Sequence, residues 1–211
     1  MGSPFLPAVS PGDSVEWTRP VQISEDRFLI GEAANLYIVN AGSKSSLQQV
    51  VQLEVDGKLK SGLAASGDVA MGVYSLAGVE KLVALKISDS DLTVAGSKEL
   101  PGVVTGGPWM VGQQVLVRMD NNQLVSFDSA TNQKWVAEVG AGTLAAAPVE
   151  NGGAVNLYFS DGRMLSVNGN SGDIDSEFNL GQPISHSPIS VGGKTLVPGL
   201  DGTLHNVPAL Q

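Results

Sequence analysis

Short apolar runs separated by glycine, asparagine and aspartate dominate the hydrophobic pattern of this chain. No long window places apolar residues at the three- and four-residue spacing of a helix, whereas runs of about four to eight β-branched or aliphatic residues recur throughout. Some runs are apolar at consecutive positions, as at 115–117 and 82–85, which predicts strands buried on both faces. The pattern therefore predicts an all-β chain whose sheets pack against one another.

One five-residue pattern recurs along the sequence: Leu or Met, two variable residues, an aliphatic or aromatic residue, and then usually Asp or Asn. Its five copies, in steps of 46, 42, 40 and 40 residues, begin at Leu36, Leu82, Leu124, Met164 and Leu204. Repeats of about 40 to 45 residues with four short strands each are typical of β-propellers. The spacing predicts a five-bladed β-propeller of four-stranded antiparallel blades.

Each repeat shows the same internal order of strands and turns. A proline opens the first strand in four repeats, and Leu63 takes that place in the second repeat; the prolines are Pro20, Pro108, Pro148 and Pro188. The second strands are expected at residues 27–31, 69–73, 115–119, 155–159 and 195–199. Turn pairs such as Asp161-Gly162 then lead into the repeated strand, because glycine accepts the backbone conformation of a tight hairpin.

The last repeat ends after its third strand, at Val207-Pro208, and has no outer strand of its own. An unpaired sheet edge exposes free amide and carbonyl groups, so we expect the N-terminal segment 5–9 to close the last blade as its outer strand. The rival interpretation is a partial array from a longer propeller. Residues 1–11 are interpreted as a tag remnant and Pro-rich linker that also contributes this closing strand, and residues 12–211 as a single propeller domain.

Charge and composition exclude several classes of partner. The formal net charge of −9 disfavours nucleic acids and anionic membrane surfaces, which attract basic proteins. No apolar stretch has the length of a membrane-spanning helix, so we expect no membrane insertion. The sequence contains no cysteine, which excludes disulfides, thiolate metal sites and a cysteine nucleophile.

Residues 124–135 (LVSFDSATNQKW) and 160–172 (SDGRMLSVNGNSG) resemble the repeats of the pyrroloquinoline-quinone-like (PQQ-like) propeller family. The family pattern has Asp-Gly, a Leu-rich strand ending in Asp, Thr-Gly, and Trp on the outer strand. The similarity is good from Pro108 to Pro208 and loose from Pro20 to Leu100. The resemblance implies a propeller fold. Its non-catalytic members imply an extracytoplasmic location in bacteria, in the periplasm or cell envelope. Quinone-dependent members use a vicinal cysteine pair that this chain lacks, so we expect no quinone, no other cofactor and no enzymatic activity.

Blade topology predicts a candidate binding face, because the connection into the first strand and the turn between the second and third strands lie at one end of a blade. Its members are Trp17, Trp109, His186, Asp120, Asp161 and Asp201. With Glu32 and Glu80, the three aspartates would supply one acid per blade, which favours weak cation binding or a basic partner segment.

These candidate residues also have structural interpretations. Asp before Gly favours hairpin turns, a lone histidine such as His186 commonly bonds to a loop carbonyl, and tryptophans such as Trp17 and Trp109 often pack between blades. His205, on a third strand, is interpreted as a structural residue. No nucleophile motif or three-histidine zinc pattern occurs in the sequence.

Two functions from different classes therefore remain. The first is a non-enzymatic propeller that binds a protein or peptide, or serves as an assembly module in a larger bacterial envelope protein. The second is a carbohydrate-binding or enzymatic propeller that uses an axial pocket. An apolar site favours the first function, whereas convergent polar groups beside an aromatic wall favour the second.

Overall fold

The computed structural model describes residues 3–5, 15–42, 47–192 and 194–207. Within these residues every regular element is a β-strand, and the strands form five sheets that follow one another along the chain. None of the described residues forms a helix able to cross a lipid bilayer. The all-β prediction is confirmed, with one sheet for each sequence repeat.

The strands have the following bounds. The first sheet contains β1 (Ser3–Pro4), β2 (Val21–Ser24), β3 (Arg27–Glu32), β4 (Asn35–Asn40) and β5 (Gln48–Glu54). The second contains β6 (Lys58–Ser66), β7 (Val69–Leu76), β8 (Val79–Ile87) and β9 (Leu92–Glu99). The third contains β10 (Val104–Val111), β11 (Gln114–Met119), β12 (Gln123–Phe127) and β13 (Gln133–Glu138). The fourth contains β14 (Val149–Asn151), β15 (Ala154–Tyr158), β16 (Arg163–Asn168) and β17 (Ile174–Asn179), and the fifth β18 (Ile189–Val191), β19 (Lys194–Pro198) and β20 (Leu204–Val207).

The predicted blade order is confirmed. The second, third and fourth sheets each contain four strands in sequence order. The second strands begin within one residue of their predicted starts in all five repeats. The first strands of the second and third sheets are longer than predicted, because Leu63 and Pro108 lie inside β6 and β10 instead of opening them.

The N-terminal strand lies in a different sheet from the one predicted. Ser3 pairs with Gln49 and Pro4 with Gln48, so β1 adds to the outer edge of β5 in the first sheet. Phe5 continues this pairing, since its amide donates to the Leu47 carbonyl at 2.8 Å. The fifth sheet has three strands among the described residues, and Phe5, the first residue of the predicted closing strand, lies in the first sheet instead. The physical reason is that Phe5 finds aromatic contacts beside the first sheet, as shown below; residues 6–9 lie outside the described range.

The chain divides into two compact units. The first unit comprises Met1–Val117 with Phe127–Asn132, and the second comprises Arg118–Ser126 with Gln133–Gln211. The predicted boundaries, 1–11 and 12–211, stay a prediction. In the first unit, the first two sheets pack through aliphatic side chains from alternate strand positions. This cluster contains Leu29, Leu36, Ile38, Val55, Leu59, Leu63, Ala70, Tyr74, Val83, Leu85, Ile87 and Leu92.

The second unit contains polar side chains that bond to the backbone of neighbouring loops. Arg163 donates to the carbonyls of Val139 at 2.7 Å and Ala141 at 2.5 Å, and Arg118 donates to that of Gly140 at 2.8 Å. The Arg163 guanidinium also lies 3.9 Å from the centre of the Phe159 ring. Burial and the charge of Arg163 lower the pKa of Arg118. These bonds hold the loop that follows β13.

Trp135 joins the third and fourth sheets in this unit. Its side chain is 5% exposed, and its indole Nε1 donates to the Gly169 carbonyl at 2.8 Å. Gly172, with φ of 82°, lies against the indole, and a Cβ there would come within 2.9 Å of the ring. Trp135 therefore packs between the two sheets.

Candidate functional site

The first sheet has two apolar faces. One face carries Leu29, Leu36 and Ile38 into the cluster shared with the second sheet. The cross-strand pairs Phe28 with Val39 and Ile30 with Tyr37 lie on the opposite face, because neighbours along a strand point in opposite directions. A second, smaller cluster of Ile30, Tyr37, Val39, Phe28 and Phe5 forms on this opposite face.

Three aromatic rings meet at this opposite face. Phe5 lies edge-on to Tyr37 with ring centres 5.1 Å apart, and edge-on to Trp17 at 5.6 Å. The centres of Trp17 and Tyr37 are 5.9 Å apart. Such tilted and edge-to-face arrangements are favourable because the positive ring edge meets the negative ring face. Trp17 is held in place by an isolated antiparallel bridge to Glu32 at the end of β3.

These residues surround a pocket of about 460 Å³, which we call the Trp17 pocket. It is lined by Phe5, Trp17, Thr18, Pro20, Phe28, Ile30, Val39, Ala41 and Leu47. Among the described lining residues, Thr18 carries a hydroxyl and Trp17 an indole N–H, and the Thr18 hydroxyl accepts a hydrogen bond from the Gly31 amide at 2.9 Å. Trp17 is 38% exposed and Leu47 43% exposed, so the pocket has an open apolar rim.

Ionisable groups lie beside the Trp17 pocket and not in its wall. Burial, and then the negative charge of Glu32, raise the pKa of Tyr37, so its phenol stays neutral at physiological pH. Among the described residues no group of three or more His, Asp or Glu side chains is arranged to hold a metal ion. The wall can therefore exclude water from an apolar group, and its described residues include no general acid, base or metal ligand.

Trp109 lies outside this pocket. It is half-buried on β10, where a Cβ on Gly107 would lie 3.2 Å from its ring. Trp17 and Trp109 both belong to the first unit, whereas the other four predicted residues belong to the second. The common binding face of all six residues stays a prediction.

The two aspartates at hairpin turns serve as turn residues. Asp161 accepts a hydrogen bond from the Arg163 amide, and Asp201 accepts one from the Thr203 amide, each at 3.0 Å. The third sheet has Asn121 at this position, where its side chain accepts from the Gln123 amide at 3.2 Å. Asp120, exposed and one residue earlier, is thus out of register with the other two acids. Hairpin stabilisation accounts for Asp161, Asp201 and Asn121.

Asp201 also takes part in a polar cluster at the fifth sheet. The Thr203 hydroxyl donates to Asp201 at 2.6 Å and contacts the His205 ring, which Gln182 also contacts. Hydrogen bonds from the Thr203 hydroxyl and amide lower the pKa of Asp201, and the charge of His205 adds to this effect. The structural interpretation of His205 agrees with these contacts.

His186 and Glu80 have separate surroundings. His186 is exposed in the connection that leads into β18. Ser185 occupies the position equivalent to Thr18, because the Ser185 amide donates to the Pro198 carbonyl in β19 as the Thr18 amide donates to the Gly31 carbonyl in β3. Glu80 is buried, forms an ion pair with Lys60 and accepts a hydrogen bond from the Val104 amide at 2.7 Å. Glu80 is therefore tied into the fold of the first unit.

Phe5, Phe28, Tyr37 and Leu47 were not predicted as site residues. Apolar residues at consecutive positions of β3 and β4 are a signal that could have indicated two buried faces. No sequence pattern indicates that Phe5 lies beside the first sheet, because the pattern predicts that its segment belongs to the last blade. The contact between Phe5 and Tyr37 depends on the pairing of β1 with β5.

Comparison with known proteins supports the fold class. No protein-family model and no curated protein sequence matches the chain. The structure is similar to BamB from Moraxella catarrhalis, with a TM-score of 0.64 and 18% identity over 89% of this chain and 56% of BamB. It is similar to BBS1N, solved in complex with ARL6DN, with a TM-score of 0.67 and 16% identity over 94% of this chain and 65% of BBS1N. It is also similar to the computationally designed Ika8 protein, with a TM-score of 0.60 and 12% identity over 87% of this chain and 55% of Ika8.

Five successive antiparallel sheets together with these similarities define the protein as a five-bladed β-propeller. At identities below one fifth the similarity establishes the fold alone. The chain spans between 55 and 65% of the length of the three structures described above.

Proposed function

We propose that this chain is a non-enzymatic, PQQ-like propeller module of a bacterial envelope protein, and that it binds a protein partner through the Trp17 pocket. The observation that carries the proposal is an open apolar pocket of about 460 Å³ with an exposed tryptophan at its rim. Tryptophan and other aromatic residues in such pockets commonly anchor protein interfaces. BBS1N, a similar propeller, was solved with a protein partner, which supports this class of function.

The chemistry of the wall favours an aliphatic or aromatic side chain as the group that enters the pocket. A sugar would need several hydrogen-bond partners, whereas the described lining offers two polar side-chain groups, the Thr18 hydroxyl and the Trp17 indole N–H. Burial of one large apolar side chain contributes about 1.5 to 3 kcal/mol, which is enough to dominate a weak interface. The lining therefore gives no specific support to the carbohydrate-binding or enzymatic alternative.

Charge near the pocket favours basic residues beside that apolar anchor. Glu16 adjoins Trp17 in sequence, Glu32 is bridged to it, and Asp26 bonds through its carbonyl to the lining residue Ala41. Of the two arginines next to lining residues, Arg27 pairs with Asp89 and Arg19 is exposed, so acids outnumber bases here. The chain as a whole has a formal charge of −9. We expect partner segments that combine a large apolar residue with lysine or arginine on either side, because complementary charge accelerates association and favours correct partners.

A random peptide library displayed on phage tests the proposal directly. Peptides selected on the intact protein should contain a large apolar residue with basic neighbours. Trp17→Ala should weaken their binding at least about tenfold while leaving the far-ultraviolet circular dichroism unchanged. Trp109→Ala is the matched aromatic control, because Trp109 lies outside the lining. Peptides that bind the Trp17→Ala protein as tightly as the wild type would contradict the proposal.

A further inference from the structure

The fourth sheet carries a row of polar side chains on one face. Asn156 pairs with Ser166 across β15 and β16, and Ser166 pairs with Ser176 across β16 and β17. Residues that are paired directly have their side chains on the same face of an antiparallel sheet. Asn156 is 3% exposed and Ser166 is fully buried. None of the three lines the Trp17 pocket, and we call them the polar row.

The polar row lies on the face of the fourth sheet that packs against the fifth sheet. Tyr158 and Met164, the pair two residues along β15 and β16, lie on this same face because side chains alternate along a strand. They pack with Val197 and Val207 of the fifth sheet in a buried cluster. All of these residues belong to the second unit. The surroundings of the polar row are therefore defined within one unit.

Each member of the polar row has a side-chain atom with no hydrogen-bond partner among the described residues. These atoms are Asn156 Oδ1, Ser166 Oγ and Ser176 Oγ, and each is shielded from solvent. The Asn156 side chain does bond to the Tyr158 phenol; burial raises the pKa of Tyr158, and this hydrogen bond opposes the shift. Buried polar atoms are normally hydrogen-bonded, because burial without a partner is costly. Three such atoms in one row therefore point to a bound polar molecule.

The third sheet has large apolar side chains at the equivalent positions. Leu116, which is fully buried, lies one 40-residue repeat before Asn156. Trp135 corresponds to Ser176, since each lies four residues before an amide that donates to the hairpin turn of its own sheet. These amides belong to Val139 and Leu180, and they donate to the carbonyls of Asn122 and Gly162. Serine is far smaller than tryptophan, so the fourth sheet offers both room and polar atoms here.

The chemistry of the polar row favours water as the bound molecule. The three side chains are uncharged, so a buried ion would lack a compensating charge. An apolar group would leave the three polar atoms without partners. A buried water molecule commonly makes about three hydrogen bonds to protein atoms that have no other partner. The number and type of free atoms in the polar row match this requirement.

We propose that the polar row is a binding site for ordered water, which bonds to Asn156 Oδ1, Ser166 Oγ and Ser176 Oγ. The amide oxygen of Asn156 accepts a hydrogen bond from the water, and the two serine hydroxyls can either donate or accept. Bound water thus replaces, in the fourth sheet, the apolar packing that Leu116 and Trp135 provide in the third.

Oxygen-17 magnetic relaxation dispersion of water in solutions of the full chain tests this site. The method responds to water that stays on the protein longer than the protein takes to tumble, and it does not respond to hydroxyl protons. Asn156→Leu removes the acceptor and should lower the dispersion amplitude by the contribution of about one water molecule. Asn170→Leu is the matched control, because Asn170 is exposed in the turn between β16 and β17 and should keep the wild-type amplitude.

Ser166→Ala is a second variant that removes one hydroxyl and should also lower the amplitude. The far-ultraviolet circular dichroism of each variant reports whether it is folded. A crystal structure of the full chain should place a water oxygen within about 3.2 Å of both Asn156 Oδ1 and Ser166 Oγ. Wild-type amplitude in folded Asn156→Leu and Ser166→Ala would overturn the inference. So would an equal loss in Asn170→Leu, or a crystal structure in which these side chains bond to one another with no water between them.

Discussion

Both units of this propeller contain buried apolar clusters, and the second unit adds side-chain hydrogen bonds between two of its sheets. In the first unit, the first and second sheets are joined by a cluster dominated by buried aliphatic side chains, including Leu29, Leu36 and Leu85. In the second unit, the third and fourth sheets are joined by Trp135 and Arg163, whose side chains donate to loop carbonyls. The difference shows that the repeated sequence pattern determines the strands, whereas the side chains that join one sheet to the next differ between repeats.

The two kinds of contact should respond differently to substitution. The stability of aliphatic packing depends on the volume of the buried side chains and not on hydrogen bonds. The stability that a side chain gains from bonding to a buried carbonyl depends on the geometry of its donor. Substitutions that separate volume from hydrogen bonding can therefore test the comparison.

Trp135→Ala should have the largest effect. It removes a nearly buried indole, opens a cavity beside Gly172 and leaves the Gly169 carbonyl without its donor. We expect a loss of about 3 to 5 kcal/mol in the free energy of unfolding, measured by urea denaturation. Val136→Ala is the control, because Val136 is 38% exposed on the same strand and should change stability by less than about 1 kcal/mol. Equal losses for the two variants would show that Trp135 does not join the sheets.

Leu85→Ala tests the aliphatic contact in the first unit. Leu85 is fully buried between the first and second sheets, and its truncation should cost about 3 kcal/mol through lost transfer energy and a residual cavity. The corresponding change at the exposed Leu76 should cost less than about 1 kcal/mol. A loss at Leu85 no larger than that at Leu76, in the same urea experiment, would mean that the cluster contributes little to the first unit.

The blade pattern could be predicted from sequence because its signals are local. Strand length, apolar residues at consecutive positions and turn pairs such as Asp161-Gly162 are each encoded within a few residues. Gly162 is an example of a position that only glycine suits. Its φ is 100°, and a Cβ there would lie 2.3 Å from the Gln182 carbonyl oxygen. The prediction of second-strand starts within one residue follows from such local constraints.

The pocket could not be predicted because its contacts are distant in sequence. Phe5 and Tyr37 are brought together by pairing of β1 with β5, and many edge strands could have accepted the N-terminal segment. Trp17 was a candidate only because of its position at a blade end. The carbonyl partners of Arg163 had no sequence signal either, since every residue carries a carbonyl group.

Arg163→Lys tests the polar contact of the second unit without changing its charge. Lysine cannot reproduce the forked donors that reach the Val139 and Ala141 carbonyls, nor the planar stacking on Phe159. We expect a loss of about 1 to 2 kcal/mol in the free energy of unfolding. Arg19→Lys, at an exposed position in the first unit, should be neutral within about 0.5 kcal/mol. A neutral Arg163→Lys would mean that charge alone, and not donor geometry, holds the loop.

For Tyr74→Phe in the first unit we expect no loss of stability, in contrast to the loss expected for Arg163→Lys in the second unit. The Tyr74 side chain is 1% exposed, and its hydroxyl has no hydrogen-bond partner among the described residues. Burial raises the pKa of this phenol far above its ordinary value, so it is neutral at physiological pH. Removing the hydroxyl should leave stability unchanged or raise it by up to about 1 kcal/mol, as judged by urea denaturation. A loss above about 1 kcal/mol would reveal a hydrogen bond that the aliphatic cluster depends on.

The weakest test concerns an exposed hydrogen bond of the second unit. The Thr203 hydroxyl and amide hold the pKa of Asp201 below its ordinary value in the folded chain. Because the folded pKa is the lower one, the contribution of this carboxylate to stability is present above the unfolded pKa and is lost as pH falls through the folded pKa. Thr203→Val removes the hydroxyl, so the Asp201 midpoint, followed by carboxyl NMR during an acid titration, should move upward. The midpoint should remain below the unfolded value because the backbone amide still donates. An unchanged midpoint would show that the Thr203 hydroxyl does not lower this pKa, and that this exposed side-chain hydrogen bond contributes nothing to the second unit.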